Sequence, residues 1–494
     1  MAVDLTKPAQ DVDLLSDAYK PLMERLQANI LKSHGRDESR HVFLRFTGPA
    51  ASVRAWIRDK IAPRVLSARL QHEQARDKVD GGLVVLFYLS AEGYRYLGLD
   101  ADKLKSRVFR KGMKHQGSNL IKELFDTDNK DPKPEKWEPG FQKTVHAMVA
   151  LGDDQKQDQT RLLNEVSLLK AQVAGFAEVL LIDAGRALRR IARDGTPLAS
   201  PEPIEHFGYF DGISQPLFGK DDLQRYYDEG KGTKGDGNWD PGASLDLVLE
   251  KDPFAADADA FGSYLVYRKL HQNYGEFQAR EEECGDKVGL DGELAGAMAV
   301  GRFEDGTPVA VFEQEGNQYT NDFVFKSPVP GKSVDPNGFK CPAHAHIRKV
   351  NPRGTTPSTS LEDERRRRIV RRGIPYGKPF PGLCGPDVPS DPDPAADRGL
   401  LFMCFQANVE KQFEFIQRTW VDNPNFPTNV FNLPTGKDTG DDPLIGQNRN
   451  EPQRWPKTWG DEAAGRERFN FESAVTLKGG EYLFAPSLPV LKSL

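Results

Sequence analysis

The stretch GLVVLFYLSAEGYRYLGL, residues 82–99, changes its pattern at Ser90. Residues 82–90 form a continuous apolar run of strand length, and residues 91–99 place aromatic and apolar side chains at helical spacing. The same alternation extends in both directions. Upstream, HVFLRF (41–46) reads as a strand and ASVRAWIRDKIA (51–62) as the helix after it. Downstream, HAMVAL (146–151) and EVLLIDAG (178–185) read as strands, with DQTRLLNEVSLLKAQV (158–173) as a helix between them. The order β-α-β, then β-α-β, predicts an α+β domain of the ferredoxin-like type, an antiparallel sheet with helices on it.

A similar layout recurs later. GSYLVYRKL (262–270) reads as a strand and NYGEFQAR (273–280) as a short helix. GLLFMCFQA (399–407) reads as a buried strand, and VEKQFEFIQRTW (409–420) as an amphipathic helix. Residues 82–98 and 399–417 share one plan: glycine, apolar strand, polar turn, aromatic-rich helix. That predicts duplicated halves with inserted loops, 1–225 and 226–494. DEGKGTKGDGNWDPG (228–242) and CGPDVPSDPDPAADRG (384–399) read as loops. A pocket between two such halves is a common place for a cofactor.

The chain has 494 residues, enough to bury a large core and a cofactor pocket. Lys and Arg number 67 against 73 Asp and Glu, a net charge of −6. This argues against a nucleic-acid partner. No apolar stretch approaches the roughly 20 residues that span a bilayer, so no membrane partner is expected. Cys284, Cys341, Cys384 and Cys404 are scattered, without C-x-x-C or C-x-x-C-H spacing. Zinc ribbons and covalent haem attachment are therefore unsupported. The first residues lack a basic run followed by an apolar core. The expected location is cytoplasmic, or outside the cell if a leader has been trimmed.

Three stretches carry candidate chemistry. HFGYFDGISQP (206–216) brackets Asp211 between Gly208 and Gly212. CPAHAHIRKVNPR (341–353) holds His344 and His346, which share a side on a strand and diverge on a helix. RRRRIVRRGIPYG (365–377) is a basic run, read as a helix ending near Gly373 before Pro375. Arg371 and Arg372 would differ by about 100° around its axis, so one can face a site while the other does not. Each stretch alone has a structural explanation: a turn, two buried or solvated histidines, a solvated basic face. Together they supply an acid, a histidine and an arginine, a set suited to hydrolysis or to peroxide chemistry. No H-E-x-x-H or G-x-S-x-G motif accompanies them.

The sequence resembles the dye-decolourising peroxidases, a family of haem enzymes. The resemblance spans LQANILKSHGRDESRHVFLRF (26–46), FGYFDGISQP (207–216), HIRKVNPR (346–353), RRGIPYG (371–377), GLLFMCFQA (399–407) and GGEYLFAPS (479–487), in that order. The length and the charged insertions match the larger members. The resemblance implies two ferredoxin-like halves around non-covalent haem b. It implies His346 as the axial iron ligand, with His344 as the competitor, and Asp211 and Arg371 as the catalytic acid-base and cation opposite. Gly208, Gly212, Leu400 and Phe402 are implied to shape or line the haem site. A carboxylate normally holds the ligand's other nitrogen; Asn408 and Glu410 are the candidates here.

The resemblance further implies reduction of hydrogen peroxide through a ferryl intermediate, with dyes, phenolic aromatics or Mn(II) as donors. One carboxylate that accepts and then returns a proton can serve both oxygens of peroxide. An arginine can stabilise the charge that develops as the O–O bond breaks. Asp387, Asp391 and Asp393 are candidate cation ligands. Trp420, Trp455, Trp459 and Tyr376 are candidate surface relays for bulky dyes. The alternatives are a haem-binding or iron-extracting protein with little turnover, and a haem-free binding protein whose motifs are structural.

Overall fold

The computed structural model describes residues 3–115, 130–154, 160–190, 203–235, 237–316, 320–356, 360–380, 383, 393, 396–427, 439–447 and 452–494. The strands that carry the fold are β1 (Glu38–Phe46), β2 (Val84–Leu89), β3 (Ala147–Asp153), β4 (Ala177–Arg186), β5 (Phe261–Gln272), β6 (Val370–Arg371), β7 (Ile374–Tyr376), β8 (Gly399–Gln406) and β9 (Val475–Ala485). In the first half they pair in the order β2-β3-β1-β4, and in the second in the order β7-β8-β5-β9. Counted within each half without the two-residue β6, both orders are 2-3-1-4, and every pairing is antiparallel. This is the duplicated ferredoxin-like arrangement expected from the sequence.

The two sheets join edge to edge. Leu89 pairs with Phe484 at one seam, and Gly185 with Tyr376 at the other, which closes the strands into a barrel. Closure removes the exposed sheet edges that would otherwise invite pairing with other chains. It also explains the unbroken apolar character of residues 82–90, because every residue of β2 is buried. The interior is crossed by Tyr267 of β5, whose ring packs edge-on against His41 and Phe43 of β1. Outside, the helix Thr160–Val173 lays Leu162, Val166, Leu169 and Val173 on the first sheet, one helical stripe of buried side chains. Ser90 accepts the N–H of Gly93 and starts the helix Ala91–Tyr96, where the sequence changes period.

The structure differs from the sequence expectations in several places. The arginine run is not one helix: a short helix Leu361–Arg365 stops, and Val370 and Arg371 pair with Phe405 and Cys404 of β8. Buried Val370 and Ile374 explain the outcome, since the pairing on β8 outweighs the helical tendency of the arginines. The segment 409–420 is helical only from Phe413, because the Gln412 side chain donates to the carbonyls of Leu247 and Arg368 and holds the preceding chain in a turn. Residues 82–98 and 399–417 are also not equivalent by position, since β2 is second in its half and β8 third. The helix begun by NYGEFQAR runs on to Val288. The division after residue 225 passes through the helix Lys220–Asp228. No helix among the described residues is long and apolar enough to cross a membrane.

Candidate active site

The stretch 203–216 wraps around a carboxylate. Glu205 accepts the N–H groups of Phe207, at 2.9 Å, and Tyr209, at 3.1 Å, while its own N–H donates to the Tyr209 carbonyl. Gln272, at the end of β5, donates to the same carboxylate and ties the loop to the barrel. Burial pushes the Glu205 carboxyl up to about 7, against the hydrogen bonds that favour its charge. His206 bonds through Nε2 to the Tyr376 carbonyl, at 2.8 Å, and so fastens the loop to β7. Phe207 stacks on Phe277 with ring centroids 4.2 Å apart, and Tyr209 meets that ring edge-on. The Tyr209 hydroxyl donates to Glu281 at 2.7 Å. The aromatic residues of the motif thus include two that pack on the helix Tyr274–Val288.

The two glycines serve different ends. Gly208 has φ +95°, and a Cβ there would lie 2.7 Å from Glu304 Oε1. Gly212 has φ +91°, a Cβ there would meet nothing within 4 Å, and it lines the central cavity; Gly208 does not. Both positions need a left-handed backbone, which glycine adopts without strain. Between them, the Asp211 N–H donates to the Pro203 carbonyl at 2.8 Å, which fixes the direction of the side chain.

Arg371 reaches this loop from β6. Its Nη1 lies 3.1 Å from Asp211 Oδ1, and its Nη2 donates to the Ile213 carbonyl at 2.7 Å. Asp211 Oδ1 also accepts the Gly212 N–H at 2.6 Å, while Oδ2 has no partner among the described residues. Arg372 turns away and donates to the carbonyls of Asn29 and Ile30. Only one of the two arginines faces Asp211, as expected, but the cause is the alternation of an extended chain rather than a helix.

His346 begins the short helix His346–Val350 and lines the cavity that Asp211 and Arg371 also line. Its Nδ1 lies 2.8 Å from Asp442 Oδ2. A carboxylate only accepts, so the ring proton sits on Nδ1 and Nε2 carries the lone pair. Asp442 Oδ1 accepts the N–H groups of Leu444 and Ile445, which locks the carboxylate in a tight turn. His344, two residues away, is buried against Trp455, with centroids 4.4 Å apart. It lines neither cavity at His346. The sequence reading missed Asp442 and offered the wrong partners. Glu410 instead meets Arg107, and the Asn408 N–H and Oδ1 serve the turn at Gln412 and Lys411.

The cavity has a volume of about 210 Å³ and adjoins a second of about 170 Å³ through shared walls at His346, Arg371 and Phe402. Leu400 and Phe402, at alternate positions of β8, form part of an apolar wall with Ile347, Phe413 and Val475. Two buried guanidinium groups stand by these cavities, Arg302 lining both and Arg353 the second. Arg302 donates to the carbonyls of Gly306 and Thr320, and Arg353 to those of Asn321 and Phe323. Neither has a carboxylate partner among the described residues, and burial pushes Arg302 down to about 10. Buried cations without a counter-ion favour an anionic ligand.

Other expectations fall away from the cavity. Trp420, Trp455 and Tyr376 are buried, which removes them as exposed relays, and Trp459 is half-buried with its indole N–H on the Val309 carbonyl. Asp387 and Asp391 lie outside the described residues, as does Cys384; the Asp393 carbonyl accepts from Arg398. Cys284, Cys341 and Cys404 are free and buried. No group of three or more metal-type ligands occurs among the described residues.

Comparison with known proteins fits this geometry. Residues 303–432, which include His346, Arg371, Leu400 and Phe402, match the family model of the C-terminal part of Dyp-type peroxidases. The multifunctional dye peroxidase DyP2 of Amycolatopsis is 39% identical over 96% of this chain and 96% of its own. The dye-decolorizing peroxidase msp1 of Mycetinis scorodonius is 30% identical, covering 82% of this chain and 75% of its own. Among solved structures, DyP2 superposes with a TM-score of 0.84 at 36% identity, covering 100% of both chains. The Anabaena DyP-type peroxidase gives 0.81 at 37% identity, covering 96% of this chain and 95% of its own. The chain belongs to the DyP-type, or dye-decolourising, peroxidases, a family of haem enzymes, and is a peroxide-using oxidoreductase.

Proposed function

We propose that this protein binds haem b non-covalently between His346 and the Asp211–Arg371 pair, and uses it to reduce hydrogen peroxide at the expense of dyes and phenolic aromatics. The observation that carries the reading is the set of groups around one cavity. An imidazole with a free Nε2, an acid and an arginine line it together, and its walls are otherwise largely apolar. This set suits haem: His346 Nε2 for the iron, apolar side chains for the ring, and Arg302 and Arg353 for its carboxylates. Haem, when bound, supplies the redox chemistry of peroxide reduction.

The protein's part is to hold and move protons. Asp442 keeps the His346 proton on Nδ1 and raises the basicity of Nε2. Elsewhere in the cavity lining, Asp211 Oδ1 is occupied by Gly212 and Arg371, which leaves Oδ2 to take a proton from one oxygen of peroxide and return it to the other. Arg371 is fixed by the Ile213 carbonyl and offers its charge to the oxygen that leaves as water. Two one-electron donors then restore the resting enzyme.

Absorption and stopped-flow spectroscopy of the haem-loaded protein test the reading. A Soret band that changes within seconds of adding peroxide is expected. A protein with no Soret band would be a haem-free binding protein. One with a stable band indifferent to peroxide would be a haem carrier. A donor screen with an anthraquinone dye, a phenol and Mn(II) then assigns the reductant.

A further inference from the structure

Asp211 lines two hollows. One is the cavity at His346. The other, also about 210 Å³, lies at the mouth of the barrel. Its wall includes His34, His41, Ala187, Arg372 and Met403, none of which lines either cavity at His346. Nothing in the proposed proton transfer uses these residues.

The two histidines are neutral and complementary. Burial pushes His34 down to about 4 and His41 down to about 3. His34 Nδ1 accepts the Arg36 N–H at 3.0 Å, so the ring proton sits on Nε2. The Tyr267 hydroxyl donates to Asp183 at 2.7 Å, so His41 Nδ1, 3.3 Å from the same hydroxyl oxygen, must be the donor of that pair. His41 Nε2 therefore carries a lone pair. Neither Nε2 has a partner among the described residues, and His41 is only 1% exposed. The three residues His34, with an unused donor, His41, with an unused acceptor, and Asp211 thus line one hollow. A ligand suited to it is small and neutral, donates one hydrogen bond and accepts another.

We propose that hydrogen peroxide reaches Asp211 through this barrel-mouth hollow, held between His34 and His41, and not through the cavity that His346 lines. Peroxide has an O–H for His41 Nε2 and an oxygen lone pair for the His34 Nε2–H. Bulky dyes are too large for it. The two substrates then approach Asp211 from different sides. This inference rests on the peroxidase reading above.

The test uses the haem-loaded full chain. Ala187 lines the hollow, and its N–H bonds the Asp37 carbonyl whatever the side chain, so Ala187→Phe narrows the hollow without removing that bond. Its second-order rate with hydrogen peroxide should fall about tenfold, as gated association does, while its KM for dye stays at the parent value. His34→Phe should slow the same step about threefold to tenfold, one lost neutral hydrogen bond, and His34→Gln, which keeps a donor, should stay near the parent. Crystals of the loaded Asp211→Asn variant soaked in peroxide should show it between His34 and His41. Peroxide found only beside His346, or parent rates in both Ala187→Phe and His34→Phe, overturn the inlet. If Ala187→Phe does not fold, equal rates for His34→Phe and His34→Gln overturn it. Asp211→Asn reacting at the parent rate would instead sink the peroxidase reading itself.

Discussion

The two walls of the cavity are built on different principles. On one, His346 and Asp442 both come from the second half and meet through one 2.8 Å bond, with the Asp442 side chain fully buried. On the other, Asp211 comes from the first half and Arg371 from the second, and they meet at 3.1 Å with about a third of each side chain exposed. The first wall is a clamp within one half. The second exists only when the two halves dock, because the Asp211 loop is fastened to β5 through Gln272 and to β7 through His206. The difference teaches where rigidity lies: the position of His346 depends on one turn, and that of the Asp211–Arg371 pair on the seam of the barrel.

The largest effect should come from breaking the clamp at its ligand. His346→Ala should lose the axial imidazole and with it the spectrum of histidine-bound haem. His344→Ala, whose ring packs on Trp455, should keep that spectrum and lose stability instead. An unchanged spectrum in His346→Ala, read by absorption and magnetic circular dichroism, would reverse the two histidines. Next comes the seam wall. Asp211→Asn should slow the reaction with peroxide by about 10² to 10⁴, the usual contribution of a positioned acid-base group. Arg371→Leu should slow it by about 10² to 10³, the cost of removing one charge-stabilising donor. Both should bind haem normally, since neither belongs to the His346 clamp. Stopped-flow rates with haem stoichiometry separate the two walls; a variant that loses haem as well would join them.

Asp442→Asn sharpens the comparison at a smaller scale. It keeps the shape of the turn but removes the charge that fixes the His346 proton, and should weaken haem retention about 10- to 100-fold. Transfer of haem to an apo-globin acceptor measures this directly. Loss confined to the peroxide step, with retention unchanged, would mean that the two walls communicate.

The same contrast explains what was legible in the sequence. Strands such as 84–89 and 399–406 declare themselves because burial on both faces of a closed barrel demands unbroken apolar runs. Asp211 was legible because two glycines with positive φ must flank it. Arg371 was found by its motif, although its helical setting was wrong: a two-residue strand that exists through pairing with Cys404 and Phe405 leaves no periodic trace. Asp442 left still less. It lies 96 residues from His346, in a turn set by its own side chain, and Asp–Asp–Pro reads as an ordinary loop. Glu205 was missed because its partners are main-chain N–H groups, which any sequence provides. Local pattern shows elements and strained loops; it does not show which side chains a fold brings together.

The smallest expected effect concerns the support beneath the seam wall. Burial raises Glu205 and Glu304 to about 7 and Glu281 well above its ordinary value, so the folded protein holds protons there that the unfolded chain releases near 4.5. A carboxyl raised on folding stabilises fully below its unfolded pKa and loses that contribution as pH rises through its folded value. The melting temperature should therefore fall between about pH 4.5 and pH 7.5 through these groups. Glu205→Gln, which cannot ionise, should flatten part of that slope. It should also loosen the loop, because an amide offers one acceptor oxygen where the carboxylate offers two to Phe207, Tyr209 and Gln272. Thermal scans across pH on parent and variant give the difference, and identical slopes would show that Glu205 titrates as it does in the unfolded chain. In that case the Asp211 wall rests on a permanently charged carboxylate and is a rigid clamp after all, like the wall at His346.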